Sequence, residues 1–254
     1  MKASRVFISS LLTEIIGIAV ILMVWGGMAL FYPPYILPSP LETLKTAGGI
    51  QSDLTDHLVI TLVRVMAGFG LAFLIGTAAG IAAALLGWHK PINSIMVALQ
   101  VVPGTILAVI FVLLFGIGSL TPIMLVAILT LPTIAINTAN AISTRKLDNE
   151  GYLKSMHATR WQLLRYSLMP ALVPVVQSNL SLGLSMAVKV VVLGEFIGSQ
   201  NGLGYLFNHA RLIFNMQEVF FYLLILMGFS ISLQFLQTLI FALPLRRFTF
   251  PEAA

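Results

Sequence analysis

Long stretches free of charge restrict this sequence more than any other feature. No Asp, Glu, Lys or Arg occurs from Ile15 to Leu41, Val65 to Trp88, Pro91 to Thr144, Tyr166 to Val188 or Val219 to Leu245. About 20 apolar residues cross a bilayer core as a helix, so each stretch can span a membrane. The whole chain of 254 residues is 58% hydrophobic and 9% charged, against about 25% charged in a soluble domain. So few ionic groups cannot make a polar shell, and a bilayer must serve as the solvent. The same numbers exclude disorder.

The stretch from Pro91 to Thr144 is too long for one helix, and Gly116, Gly118, Ser119 and Pro122 punctuate it, so it reads as two spans joined by a tight turn. The expectation is an all-α polytopic membrane protein, one transmembrane domain over 1–254, with six spans at about 12–32, 65–87, 93–115, 120–142, 168–193 and 219–243. With the N-terminus in the cytoplasm, Lys2, Arg5, Lys90, Arg145, Lys146, Lys154, Arg160, Arg165, Arg246 and Arg247 fall inside. Lys45, Arg64 and Arg211 are left outside, which satisfies the positive-inside rule and puts both termini in the cytoplasm. Lys2 and Arg5 before an apolar run also fit a signal peptide, but Glu14 and the lack of an A-x-A site favour a retained first span.

Two segments outside the spans are long enough to fold. Ser39-Pro40-Leu41-Glu42 has the pattern of a capping box with proline at the first helical position. A second cap, at Ser52 or Asp53, opens a helix that runs into the second span. On the cytoplasmic side, the loop 145–169 carries five of the fourteen basic residues and is the main surface for a cytoplasmic partner.

Polar residues inside the spans form stripes. At helical spacing, Thr130, Thr133, Asn137, Asn140 and Thr144 share one face of the fourth span, and Ser178, Ser181, Ser185 and Lys189 share one face of the fifth. Gln100 lies one turn before Gly104 in the third. Taken singly, such residues read as interhelical glue; as two stripes on neighbouring spans they fit a hydrated, solute-accessible path. Lys189 reads as the one ionisable side chain deep in a span, and it either snorkels to the outer surface or attracts an anionic or polar solute. Glu195 would face another side of a continuous helix, so no Lys189–Glu195 pair is expected. Gly68, Ala72, Gly76 and Gly80 repeat every four residues, a pattern that lets helix backbones approach.

No catalytic constellation emerges. The chain has no cysteine, and its four histidines show no metal-ligand spacing. A phosphate loop followed by lysine is absent, so the chain does not hydrolyse ATP itself. The basic residues, though giving a net charge of +5, occur in short scattered clusters, which argues against nucleic acid. A lipid-modifying enzyme would have only Asp53, Asp56 and His57, which read as helix-start residues on a solvated face.

The order of several fragments resembles the membrane permease subunit of bacterial ABC importers of the nitrate, sulfonate and taurine type. These are Ile36-Leu37-Pro38-Ser39-Pro40, Thr61-Leu62-Val63-Arg64-Val65 with Gly68-Phe69, Val102-Pro103, Phe115-Gly116-Ile117-Gly118, and Pro132 with Asn137. They continue through Ala158-Thr159-Arg160-Trp161-Gln162-Leu163-Leu164-Arg165, Leu168 to Pro174, Glu195, and Gly202-Leu203-Gly204-Tyr205. The resemblance covers nearly all the chain after the first span. It implies a type I importer fold in the bacterial inner membrane, with a second permease copy, two cytoplasmic ATPases that bind Mg-ATP, and an external substrate-binding protein; no cofactor belongs to this chain. Related importers carry sulfonates, nitrate and vitamin precursors such as pyrimidines.

The resemblance further implies a coupling motif in the loop, assigned here to Glu150, Gly151, Tyr152, Leu153, Lys154, His157, Ala158, Thr159, Arg160 and Trp161. The family's Glu-Ala-Ala falls on Gly151, Tyr152 and Leu153, and its glycine on His157, so the head of the motif departs from the pattern. Independently of the family, a segment joining the two most polar spans can transmit movement to both. The alternative function is a motor-independent transporter or channel for a small polar solute, against which stands the lack of a membrane-centre acid and of an obvious inverted repeat.

Overall fold

The computed structural model describes residues 17, 19–46, 53–143, 155–163, 165–166 and 169–242, and only the backbone of residues 160, 170, 171 and 238–242. Among these the regular structure is helical: α1 (Ala19–Ala29), α2 (Pro40–Lys45), α3 (Leu54–Leu85), α4 (His89–Gln100), α5 (Gly104–Phe115), α6 (Leu120–Ser143), α7 (Arg160–Leu163), α8 (Met169–Gly198), α9 (Leu203–Leu212) and α10 (Met216–Ala242). By length and hydropathy α3, α6, α8 from Leu172 and α10 to Gln237 can each cross a membrane, and the bent pair α4–α5 makes a broken span or a re-entrant loop. The helix α1 is shorter; part of the first expected span, 12–32, lies outside the described residues.

The third expected span is therefore corrected. Instead of one rod over 93–115, α4 and α5 meet at 83°. Pro103 disfavours helical geometry at Val102 and has no N–H to continue the ladder. The Val101 N–H reaches only the Ala98 carbonyl, at 3.3 Å, and the helix restarts with Pro103 in the cap position.

The chain packs as two units, Met1–Leu54 with Leu206–Leu226 and Thr55–Tyr205 with Met227–Ala254. In the first unit Trp25 stacks on Phe220 at 5.4 Å and donates its indole N–H to the Pro38 carbonyl at 3.0 Å. Phe221 and Tyr222 pack with Ala210, Leu206 and Val219. The capping box is present: Ser39 Oγ accepts the Glu42 N–H at 3.3 Å, and the Glu42 carboxylate accepts the Ser39 N–H at 2.9 Å. That backbone hydrogen bond, with the one from the Ser39 hydroxyl, holds the Glu42 carboxyl below its usual range. The cap is thus intact at neutral pH and is lost only as pH falls through the lowered value.

In the second unit α6 and α8 form the central antiparallel pair. Asn137 bonds to Ser178 and Asn179 near one end, and near the other a Cβ on Gly194 would sit 2.6 Å from Pro122 Cα. Helix α3 lies parallel to α6 along the glycine repeat. A Cβ on Gly68 would lie 2.7 Å from the Ile123 carbonyl oxygen, on Gly76 2.9 Å from that of Leu131, and on Gly80 2.6 Å from that of Ala135. On α6's other neighbour, α4–α5, Asn93 and Gln100 reach Asn140 and Thr133, so that broken span runs antiparallel to α6. Val65, Phe69, Leu125, Ile134, Val188 and Val191 fill the interior, and Phe229 and Leu233 of α10 pack on it.

The seam yields a direct test. Gly68→Ala should destabilise the protein by about 1–3 kcal/mol through overpacking against backbone, whereas Gly70→Ala, whose Cβ meets nothing within 4 Å, should be neutral or stabilising by up to about 1 kcal/mol. Thermal midpoints of the two variants in detergent make the comparison.

Candidate functional site

Side chains from α4, α6 and α8 build a polar flank on the second unit. Gln100, Asn140, Ser181 and Lys189 are exposed, while Thr133, Asn137, Ser178 and Ser185 are half-buried. Gln100 Nε2 donates to Thr133 Oγ1 at 3.2 Å, Asn93 Nδ2 to Asn140 Oδ1 at 2.8 Å, and Asn137 Nδ2 to Ser178 Oγ at 3.2 Å and Asn179 Oδ1 at 2.6 Å. The end of α4 brings Gln100 to Thr133 because the break at Pro103 stops the helix there. Lys189 makes no ion pair among the described residues.

Three placements refine the sequence reading. Thr130 is wholly buried and its hydroxyl has no hydrogen-bond partner among the described residues, so it belongs to the packed interior and not to the exposed flank. Thr144 lies outside the described residues. Asn179, Thr138 and Asn93 join the network although the stripe at helical spacing omits them. Asn179 Nδ2 donates to Thr138 Oγ1 at 2.8 Å, which continues the Asn137 contact inward. The adjacent pairs Asn137-Thr138 and Ser178-Asn179 were the available signal, since two successive polar residues widen a helix's polar face by about 100°.

Of the residues expected to form the coupling motif, Glu150, Gly151, Tyr152, Leu153 and Lys154 lie outside the described residues, and so does the Arg160 side chain. The remainder forms an exposed turn. His157 adopts φ +56, a left-handed conformation that glycine takes without steric cost. This is the position where the family motif has glycine, so the histidine occupies a turn shaped for one. The next helix starts at once: Thr159 Oγ1 accepts the Gln162 N–H at 3.3 Å, and Gln162 Oε1 accepts the Thr159 N–H at 2.7 Å, a reciprocal cap for α7. Trp161 and Met156 stand 67% and 64% exposed beside it, an apolar surface large for a short polar turn.

The most heavily bonded polar cluster is one that no local sequence pattern links. Arg64, expected on the outer side, is 2% exposed and pairs at 2.8 Å with Glu195, which is fully buried. Arg64 and Glu195 lie, like Lys189, in helices long and apolar enough to cross a membrane, Leu54–Leu85 and Leu172–Gly198. Arg64 also donates to Ser119 Oγ at 2.9 Å and 3.1 Å, to the Asn201 carbonyl at 2.8 Å, and to Asn201 Oδ1. Glu195 accepts from Thr61 Oγ1 at 3.0 Å and from the Gly204 N–H at 2.9 Å. Thr61 in turn accepts the Leu203 N–H at 2.9 Å, and His57 Nδ1 accepts the Gly202 N–H at 2.8 Å while its ring stacks on Tyr205. His57, read as a solvated helix-start residue, is half-buried against this turn.

Local sequence explains the arrangement. His57, Thr61 and Arg64 fall at i, i+4 and i+7, one face of α3. Gly202 has φ +99, and a Cβ there or on Gly204 would collide with Glu195; the glycines let the backbone close over the carboxylate. Removing one member of a buried pair costs about 3–5 kcal/mol because the other charge is stranded. Arg64→Met and Glu195→Met should each lose about that much, with the double variant losing less than the sum. A double-mutant cycle of unfolding midpoints in detergent measures the coupling.

With this geometry in place, comparison with known proteins assigns the family. Residues 76–242 match the family model described as "Binding-protein-dependent transport system inner membrane component". The chain is 33% identical over 212 residues to the riboflavin transport system permease protein RibX of Chloroflexus aurantiacus, covering 81% of this chain and 78% of that protein. It is 29% identical over 203 residues to the taurine transport system permease protein TauC of Escherichia coli, covering 76% and 74%. Its fold matches a solved structure of the MetNI methionine ABC transporter in inward-facing conformation with a TM-score of 0.66 and 21% identity, over 78% of this chain and 96% of that one. The helices, the polar flank between α6 and α8, and these matches together establish that this chain belongs to the inner-membrane permeases of binding-protein-dependent ABC transport systems.

Proposed function

We propose that the chain forms the translocation pathway of an ATP-driven importer, with the solute passing along the flank built by Gln100, Thr133, Asn137, Asn140, Ser178, Ser181, Ser185 and Lys189. The observation that carries this reading is the pairing of two antiparallel helices whose exposed hydroxyl and amide groups face away from the packed core. Acyl chains would leave the exposed Ser181 hydroxyl and Lys189 ammonium without polar partners. A second permease copy, whose flank closes the pathway, supplies the missing wall.

The segment 145–169 connects α6 to α8 and lies at the end of the pair remote from Arg64. In the positive-inside orientation that end and both termini are cytoplasmic. Two ATPase subunits, which carry the Mg-ATP, dock there on the Trp161 and Met156 surface and pull on both pathway helices. An external binding protein delivers the solute at the opposite face. Replacing residues 150–160 with a Gly-Ser linker should abolish co-purification of the permease with its ATPase; retained association would remove the coupling assignment.

The solute class follows from the flank's chemistry. It is small and carries an anionic group, for which Lys189 offers a charge beside neutral hydroxyls. The names of RibX and TauC, which specify riboflavin and taurine, support an organic solute. Lys189→Met should lower uptake of an anionic solute about tenfold at subsaturating concentration, the worth of one charge-assisted hydrogen bond. Unaltered uptake in proteoliposomes would leave Lys189 as a residue that reaches only for the membrane surface.

A further inference from the structure

The two ends of the α6–α8 pair are held by contacts of very different kinds. At the Arg64 end, one turn, 199–204, is gripped by groups from two helices, α3 and α8. Arg64 takes the carbonyl and side chain of Asn201, His57 takes the Gly202 N–H, Thr61 the Leu203 N–H, and Glu195 the Gly204 N–H. Ser119, at the start of α6, is bound to the same guanidinium, and the Gly118 N–H donates to the Gly198 carbonyl at 2.9 Å. Close packing adds to this: a Cβ on Gly198 would sit 2.6 Å from Val112 and 2.7 Å from Thr121. Opening this end would strand a buried carboxylate and a buried guanidinium in apolar surroundings, a cost that parting neutral hydrogen bonds does not carry.

At the other end the polar contacts among the described residues are neutral, including the buried Asn179–Thr138 pair. Asn140 is exposed and bonded to Asn93, and the half-buried Asn137 meets Ser178. Each such neutral hydrogen bond has a small net worth and can be exchanged for water or a new partner. Between the two sets of contacts α6 carries an internal proline, Pro132, whereas Pro174 of α8 lies beyond the Ser178 contact. A proline removes one rung of the ladder and makes a bending point.

We infer that the Arg64–Glu195 cluster is a fixed pivot: the starts of α3 and α6, the end of α8 and the turn 199–204 move as one piece throughout transport, and the opposite ends of α6 and α8 swing about it, α6 bending near Pro132. Arg64 and Glu195 are positioning residues in this scheme and touch no solute. The pivot rests on the coupling reading above for the force that drives it, but it makes a separate claim about where motion is absent.

Spin labels test the claim in the complete importer, with labelled subunits diluted by unlabelled ones so that distances within one subunit are read. One pair, Val59→Cys with Gln200→Cys, reports on the Arg64 end from exposed positions outside the cluster. A second pair, Leu86→Cys with Met169→Cys, reports on the opposite end, again from exposed positions. Between the nucleotide-free and vanadate-trapped states, the first distance should stay constant while the second shifts by several ångströms. In an Arg64→Met background the first distribution should broaden and become sensitive to nucleotide. A shift of the first pair comparable to that of the second would overturn the pivot while leaving the coupling reading intact. If neither pair moved, both the pivot and the coupling reading would fall.

Discussion

The buried pairing of Arg64 with Glu195 organises the second unit of this protein. A charge held in an apolar interior is tolerated only when paired and hydrogen-bonded, and here the donors and acceptors that meet that demand come from α3, the start of α6 and the chain just after α8. Ser119 stands at the start of α6, Thr61 on α3, Gly204 on α9 and Asn201 in the turn between α8 and α9. Satisfying one ion pair therefore brings together four chain segments. The glycine seam then carries the alignment along α3, since Gly68, Gly76 and Gly80 allow its backbone to follow α6 at close range.

From that anchored end the structure grades toward neutral polar contacts. Along α6 and α8 the side chains pass from the buried cluster through the apolar core of Leu125, Val188 and Val191 to the exposed amides and hydroxyls of Asn140 and Ser181. This gradient suits a transport subunit. If α6 and α8 line the pathway as proposed, ionic packing at one end would preserve their alignment, and neutral hydrogen bonds at the other could exchange partners as a solute passes.

Much of this was legible in the sequence because the bilayer simplifies the physics. A charge-free run of the required length has few alternatives to a helix, and the capping box at Ser39 to Glu42 can be read locally because both partners lie within one turn. The small-residue repeat on α3 was legible for the same reason. The break in the third span was harder to read. Pro103 was visible, but a proline inside a membrane helix can bend it slightly or end it, and the outcome depends on how Gly104 packs against Leu129 and Leu193. The burial of Arg64 was not legible, because its position near the start of a span fits a solvated cation equally well. Its partner Glu195 is 131 residues away, and no local pattern links them.

The sequence by itself determined the class of the protein: its apolar runs require membrane-crossing helices, its polar stripes mark the faces that cannot meet lipid, and the order of its motifs carries the family. These are properties of single helices and of chain order, and they depend on spacing within about twenty residues. Tertiary structure alone decided which charges are paired, which threonines are interior, and where the third span bends. Such outcomes arise from contacts between residues far apart in the chain, whose free energy is set by the dielectric and packing that only the assembled helices create.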